Sequence, residues 1–499
     1  MAAIEPNPLE IAQKVRHLPG LLAHQAVALG ERVLWREDRR QLTVAEWHLG
    51  ARSFAARLAD RGVRPGDVAG LRLAETAHWP VALFGLWQAG AVVLPVSASL
   101  SAAGAGVLLR RAGARWLVTG RGGGSWPGEV GLIPFHGRRL GRARKEPGGL
   151  GEAVAGPESV ALLAPTSGTT GEPKLAELTH GNLLMSAAAR AVLVRHQPFD
   201  RVLSWLPLTH LYALNADVVK GLLAGVQAVR PVRARGILRA LGKWRPTHFQ
   251  AVPRLYEKAW HLAGGEKATE ESLKRVFGGR MRWAGCGGAP LPGWLAEGYA
   301  RLGLPILEGY GLTEASPLVT MNTPEAHRAG TAGRVVPGMG VEIAADGEIL
   351  VRGAGVMRGY HRDAGATARV LREGWLHTGD LGTLEDGYLR VTGRKNDLIV
   401  LSTGRKVMPA RVEGALLALP WVETAVAFGD GEPRVRALVR ARAGMTPMWS
   451  IRTLEGLEEH EQPARLLVMD RPLSAERGEV TALGKVNRAV VVRHFTGTG

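Results

Sequence analysis

The sequence predicts a layered α/β protein, and three observations carry that reading. Helix-like and strand-like segments alternate through the first region, which implies sheets covered by helices. The 499 residues suffice for roughly three domain-sized units, each able to bury a core. After about residue 397 a smaller α/β stretch of roughly 100 residues remains and reads as a separate terminal unit.

Taken in order, Thr43 to Arg61 has helical periodicity (Ala45, Leu49, Phe54, Leu58), with Thr43 as the N-cap candidate. The string Gly62-Val63-Arg64-Pro65-Gly66-Asp67 predicts a turn before a strand from Val68 to Leu73. Helix, strand and helix follow to about Arg111, and Trp116-Leu117-Val118-Thr119 makes another strand. Arg121 to Gly151, rich in Gly, Arg and Pro, reads as a mobile surface connection. The run Ser159-Val160-Ala161-Leu162-Leu163-Ala164 reads as a buried strand. No internal repeat is visible.

Composition narrows the class. Hydrophobic residues are 46% and charged ones 22%, the ordinary globular range. The single cysteine, Cys286, excludes an intramolecular disulfide and fits a reducing cytosol, so the expected location is cytoplasmic. The N-terminus lacks the basic-then-apolar pattern of a secretory signal. Val81 to Leu109 carries no charge, but its Pro95, Gln88, glycines and serines favour a buried helix and strand over a membrane span. The net charge of +18, mostly arginine, favours phosphorylated cofactors and admits peripheral contact with the anionic inner face of a membrane. Nucleic-acid binding is not expected, because aromatics are only 6% and do not interleave with basic clusters. Whether the chain forms a homodimer is left open.

The most informative stretch is Thr166-Ser167-Gly168-Thr169-Thr170-Gly171-Glu172-Pro173-Lys174. Glycines let backbone N–H groups turn toward an anion, hydroxyls add short donors, and the lysine brings a point charge. The spacing departs from the Walker pattern, so the expectation is a nucleotide-phosphate loop of another kind. Three further islands follow. Glu308-Gly309-Tyr310-Gly311-Leu312-Thr313-Glu314, after the short strand Pro305-Ile306-Leu307, offers a ring to stack on a base, a hydroxyl for a phosphate and a carboxylate for Mg²⁺. Trp375-Leu376-His377-Thr378-Gly379-Asp380 places an aspartate after a tight turn, suited to ribose hydroxyls. Gly393-Arg394-Lys395-Asn396-Asp397 ends a hairpin-like segment around Asp386-Gly387 and offers an arginine for ribose or phosphate. Singly, each has an ordinary structural explanation; their joint occurrence in this order does not.

Together these residues resemble the adenylate-forming superfamily of acyl- and aryl-CoA synthetases, luciferases and peptide-synthetase adenylation domains, from about Leu42 to Arg488. Gly287-Gly288-Ala289-Pro290 is similar to the segment that packs against adenine, and Gly347 to Gly353, Met357 to Tyr360 and Gly374 to Asp380 to the long central motif. Arg394 to Pro409 is similar to the interdomain hinge. Departures are Leu175-Ala176, where glycine and valine are usual, and Asn396, where lysine or aspartate is usual.

The resemblance implies a large N-terminal domain of layered α/β subdomains, residues 1–395, and a small mobile α/β C-terminal domain, residues 396–499. It implies ATP, Mg²⁺ and coenzyme A as cofactors and substrates, with formation of an acyl-adenylate and then a thioester. Thr166, Ser167, Gly168, Thr169, Thr170, Gly171 and Lys174 would hold phosphates; Gly287, Gly288, Ala289, Glu308, Gly309, Tyr310, Gly311 and Thr313 the nucleotide. Asp380 and Arg394 would hold ribose, Gly404 would lie along the pantetheine path, and Thr169 and Glu314 would serve Mg²⁺. Lys485, Thr313, Glu314 and His210 are the implied catalytic set. Leu206-Pro207-Leu208-Thr209-His210-Leu211-Tyr212 is similar to the acyl-site motif, with His210 at the position lining the carboxylate end; Ala251 to Lys258, Asp397 to Ser402 and Glu479-Val480-Thr481 look most like long-chain fatty acyl-CoA synthetases, so the expected partners are a medium- or long-chain fatty acid, ATP and CoA. An aryl-acid ligase, an enzyme loading a carrier protein, and a non-catalytic binding module are the alternatives.

Overall fold

The computed structural model describes residues 7–38, 40–120, 130–135, 155–166, 173–231, 236–447, 453–474, 476–480 and 486–497. The expected loop residues Ser167, Gly168, Thr169, Thr170 and Gly171, and Lys485, lie outside the described residues.

Local signals set the first layer. Thr43 caps the helix Val44–Asp60 through a reciprocal pair: its Oγ1 accepts the Glu46 N–H at 3.1 Å, and Glu46 Oε2 accepts the Thr43 N–H at 2.9 Å. The strand Val68–Arg72, helix His78–Gln88, strand Val92–Pro95, helix Ala102–Ala112 and strand Trp116–Thr119 then alternate as the sequence predicts. The charge-free helix His78–Gln88 is buried because it lies between this sheet and the helix Val44–Asp60, with Trp47 edge-on to Phe84 at 5.0 Å. Among the described residues no helix is long and apolar enough to cross a membrane. One expectation needs correction. The strand Gly131–Pro134 lies inside the supposed surface connection and extends the sheet by parallel pairing with Trp116–Thr119. Its buried Ile133 supplies the reason, and the flanking Gly and Arg composition hides so short an edge strand.

That sheet has seven strands, and the hairpin Val160–Thr166/Lys174–Thr179 lies toward one edge of it. A larger sheet of 14 strands changes character midway. His248–Ala251, Trp283–Cys286 and Ile306–Gly311 run parallel, whereas Ile306–Gly311 pairs antiparallel with Leu318–Met321 on its other side. The residues Glu308 to Gly311, expected beyond a strand end, are therefore the last residues of this seam strand. Asp380 likewise follows no tight turn: Trp375–Glu385 is one strand, bent where Gly379 takes φ 71°. The turn at Asp386-Gly387 is a tight hairpin, with φ of 52° and 79°.

The chain has a large N-terminal and a small C-terminal domain. In the latter the strands Val422–Phe428, Arg436–Ala441 and Leu466–Val468 form a sheet whose core includes Val412, Trp421 and Val439. Glu479 ties its last segment together. This fully buried carboxylate accepts both Arg471 nitrogens at 2.7 and 3.0 Å, Arg477 Nε at 3.2 Å and the Ser474 N–H at 2.8 Å, and sits 2.8 Å from His494 Nδ1. Beyond it Val480 bridges Val486 and the Asn487 N–H donates to the Glu479 carbonyl, so the two ends flanking residues 481–485 are pinned side by side.

Glu479→Gln should lower stability by about 1–3 kcal/mol, less than for a wholly buried pair because the arginines remain partly in water. The Arg471 hydrogen bonds hold the Glu479 carboxyl well below the usual range, against a smaller cost of burial. The folded state thus gains from ionisation above the ordinary value near 4.5 and loses that gain as pH falls. Amide exchange in Val422–Phe428 should accelerate in the variant at neutral pH and converge on wild type in acid; equal exchange at neutral pH would refute the role.

Candidate active site

A cavity of about 630 Å³ opens where the two sheets meet, at the carboxyl ends of Trp283–Cys286 and Ile306–Gly311. Thr166 and Lys174 face each other across the hairpin, so the ends of the hydroxyl-rich loop are brought to one rim of the cavity. Leu175 and Ala176, where glycine and valine were expected, are strand residues with 1% and 0% exposure; the strand simply begins at Lys174. Lys174 Nζ stands 4.9 Å over the Tyr360 ring, and the Tyr360 hydroxyl donates to Glu314 Oε1 at 2.8 Å. A cation, a ring and a carboxylate thus form one row. Glu314 lies in the short turn Thr313–Ala315 after the seam strand, and with Thr313 it lines the cavity. One carboxylate on the cavity lining suits Mg²⁺, which takes one or two protein carboxylates and completes its shell with other oxygens.

The second row is a buried knot. Asp380, 4% exposed, accepts the Tyr310 hydroxyl on Oδ2 at 2.8 Å and Arg394 Nε on Oδ1 at 2.6 Å. Burial, with the Asp380 charge beside it, raises the Tyr310 phenol well above its ordinary value, so it remains a donor. Tyr310 and Arg394 line the cavity while Asp380 stands behind them.

The wall opposite is made by Gly287, Gly288, Gly309 and Gly311, and Tyr212 packs against the first: a methyl at Gly287 would meet its Cζ at 3.7 Å. Ala289 and Glu308 do not line the cavity, and Gly404 lies in the turn between the paired strands Ile399–Val400 and Lys406–Val407, away from the lining. His210 is at the rim, open to solvent yet crowded enough by protein that its pKa is lowered, which leaves the imidazole neutral near pH 7. Sequence reasoning missed Tyr360 as a site residue, although its motif was noted, and missed Arg190 and Trp283. Arg190 is the single charge inside the helix His180–Leu193, an interruption that could have flagged it.

Glu308 accepts the Leu291 N–H at 3.2 Å from a position behind the seam strand. Burial pushes its pKa up to about 7. Between its ordinary 4.5 and about 7 the folded chain holds a proton that the unfolded chain releases, so stability falls as pH rises through that window. Glu308→Gln should remove the slope and gain on the order of 1–3 kcal/mol at pH 8 relative to pH 5, read by denaturant melts at both values. A variant with wild-type slope would show that Glu308 is not the titrating group.

Residues 22–361 match the family description "AMP-binding enzyme", and residues 396–461 match "AMP-binding enzyme C-terminal domain". A putative fatty-acid–CoA ligase, fadD11, of Mycobacterium tuberculosis (strain CDC 1551 / Oshkosh) is 36% identical over 336 residues, 57% of this chain; the match spans 58% of that relative. Long-chain-fatty-acid–CoA ligase FadD15 of Mycobacterium bovis is 32% identical over 470 residues, covering 80% of this chain and 77% of the relative. Among solved structures, o-succinylbenzoate coenzyme A synthetase (MenE) from Bacillus subtilis, in complex with ATP and magnesium ion, superposes with a TM-score of 0.78 at 27% identity, over 94% of this chain and 98% of that one. The hairpin Val160–Thr166/Lys174–Thr179, the seam strand and the small terminal domain occur together in a chain that belongs to the AMP-binding enzyme family.

Proposed function

We propose that this chain is an ATP-dependent, AMP-forming acid–CoA ligase. The observation that carries the reading is a cavity that gathers Thr166, Lys174, Tyr310 and Arg394 from four strands, and Glu314 from the turn after the seam strand, around a glycine wall. In the first step an acid's carboxylate oxygen attacks the α-phosphorus of ATP, pyrophosphate leaves, and an acyl-adenylate forms. In the second a thiolate attacks the acyl carbon and AMP leaves, giving the thioester of coenzyme A. Adenylation is needed because oxide is a hopeless leaving group from a carboxylate, whereas AMP is a good one.

The chain's task is electrostatic and positional. Lys174 and the loop from Thr166 to Gly171 neutralise and orient the phosphates. Glu314, held by Tyr360, would be the protein ligand to Mg²⁺, with Thr169 beside it. Bound there, Mg²⁺ supplies charge neutralisation to the triphosphate. Tyr310 presents its ring to the base and Arg394 its spare donors to ribose, while Asp380 holds both in place from behind. Lys485 bridges carboxylate and α-phosphate, and neutral His210 hydrogen-bonds near the acyl carboxylate without adding charge. Gly404 passes the pantetheine arm when the small domain, residues 396–499, turns against residues 1–395.

The acid is a fatty acid of medium or long chain in this reading. Its support is the set of motifs around Leu206 to Tyr212 and Ala251 to Lys258, together with relatives described as fatty-acid and long-chain-fatty-acid–CoA ligases.

Pyrophosphate release with a panel of acids, with and without CoA, tests the assignment; release with no acid would favour a non-catalytic protein, and turnover that needs a carrier protein rather than CoA would favour loading. Lys485→Ala should abolish adenylation and spare thioester formation from pre-made acyl-adenylate. Equal loss in both half-reactions would make that lysine structural. Glu314→Gln should raise the Mg²⁺ needed for half-maximal rate about tenfold or more, the expected loss of a hard oxygen ligand. Unchanged turnover at limiting Mg²⁺ would exclude the metal role.

A further inference from the structure

Two opposite charges line this cavity and share a neighbour, yet they do not pair. Lys174 begins the strand Lys174–Thr179, and Glu314 lies in the turn Thr313–Ala315. Among the described residues neither side chain forms an ion pair; each meets a different part of the half-buried Tyr360. The ammonium stands over the face of the ring and the carboxylate accepts the hydroxyl at its edge. An aromatic face attracts a cation and a phenol hydroxyl satisfies an anion, so one rigid group holds both charges at different places.

The backbone fixes that ring from two sides. The strand Gly359–Tyr360 runs antiparallel to Lys174–Thr179, with Tyr360 opposite Ala176. The His361 N–H donates to the Leu175 carbonyl at 2.8 Å, and the Arg358 N–H to the Glu177 carbonyl at 3.0 Å. The Met357 N–H donates to the Glu314 carbonyl at 2.8 Å, and the Tyr360 N–H to Thr367 Oγ1 at 2.9 Å. Residues 357 to 361 are thus sewn both to the strand of the lysine and to the turn of the glutamate. Burial, with the Glu314 charge beside it, raises the Tyr360 phenol above its ordinary value, so its hydroxyl stays a donor. Lysine carries its charge on a flexible stem, and without the ring its ammonium could swing to the carboxylate. A ligand anion would then have to open that pair before reaching Lys174, at a cost in affinity.

We propose that Tyr360 is a positioning residue whose ring keeps Lys174 and Glu314 from pairing with each other, leaving the ammonium open to a polyphosphate. The inference rests on reading this cavity as the nucleotide site of an acid–CoA ligase. It assigns the tyrosine a part that neither charged residue can play for itself.

The test is direct binding of ATP in excess EDTA, followed by titration calorimetry, so that neither metal nor turnover enters. Tyr360→Leu should raise the ATP Kd about three- to tenfold, the range of a partly exposed ion pair that must open first. Tyr360→Phe keeps the ring and should stay within about twofold of wild type. Glu314→Gln removes the competing carboxylate, so Tyr360→Leu made in that background should change the Kd by less than about twofold. A tyrosine that merely packs would give the same loss in both backgrounds. That equal loss, a Tyr360→Leu variant with wild-type affinity, or a Tyr360→Phe variant as weak as Tyr360→Leu overturns the spacer role and leaves the nucleotide site standing. Should Tyr360→Leu fail to fold, Tyr360→Met takes its place with the same expectations. Failure of wild type to bind ATP overturns the reading of the cavity itself.

Discussion

The carboxylate of Asp380 is the interaction around which this side of the cavity is built. It projects from the strand Trp375–Glu385, takes a hydroxyl from the seam strand Ile306–Gly311, and takes a guanidinium from the strand Tyr388–Arg394. A carboxylate that is 4% exposed has to satisfy its oxygens within the protein, and both are bonded. The consequence reaches beyond stability. The same two bonds fix the Tyr310 ring against the cavity and hold Arg394 at its edge, so two groups of the site are positioned by a third that does not line it. Charge-assisted bonds at 2.6 and 2.8 Å leave little rotational freedom to lose when a ligand arrives.

The other row works by softer means. Lys174 is oriented by a ring face and Glu314 by a single hydroxyl from that same ring, so Tyr360 keeps a cation and an anion apart while orienting both. Direct pairing of Lys174 with Glu314 would satisfy the charges and occupy both groups, which the proposed function assigns to the phosphates and Mg²⁺. A tyrosine between them holds each in place without cancelling either. Glycines complete the site from the other side: a Cβ at Gly311 would fall 1.8 Å from the Pro317 carbonyl oxygen, so the wall can come this close only without side chains.

Much of this was legible in the sequence, and the exceptions are instructive. Thr43 before a periodic apolar run marked a helix start, the alternation of apolar runs located the first sheet, and Asp386-Gly387 marked a hairpin, because these features depend on neighbours a few residues apart. The strand Gly131–Pro134 and the bent strand through Asp380 were misread because pairing across a sheet, not local propensity, makes them strands. Resemblance named Tyr310, Asp380 and Arg394 but could not say that one bonds the other two. Arg190 escaped because an arginine in a helix is usually solvated, and only its burial against the cavity distinguishes this one. The net charge of +18 was similarly mute, since it sums solvated arginines with the few that matter.

The electrostatics of the chain before Asn396 also bear on where the two domains part. Arg394 is tied to Asp380, and Lys395 reaches Asp346 at 2.5 Å and Glu348 at 2.7 Å. Glu348 is itself held by the Gly379 N–H at 2.8 Å, so both cations are fastened to the larger domain's sheet. A rotation starting before Arg394 would tear a half-buried ion pair and a charge cluster apart at once, whereas one starting at Asn396 leaves all of them closed. Beyond that point the restraint weakens: Arg442 of the small domain meets His261 of the large one across an exposed 3.3 Å contact, the kind that water and salt readily compete with. The hinge that the resemblance implies at Asn396 thus falls in the short turn Lys395–Asp397, one residue beyond the last strong bonds to the large domain. An amide side chain at that position adds no charge of its own, so turning there need not drag an ion pair through water.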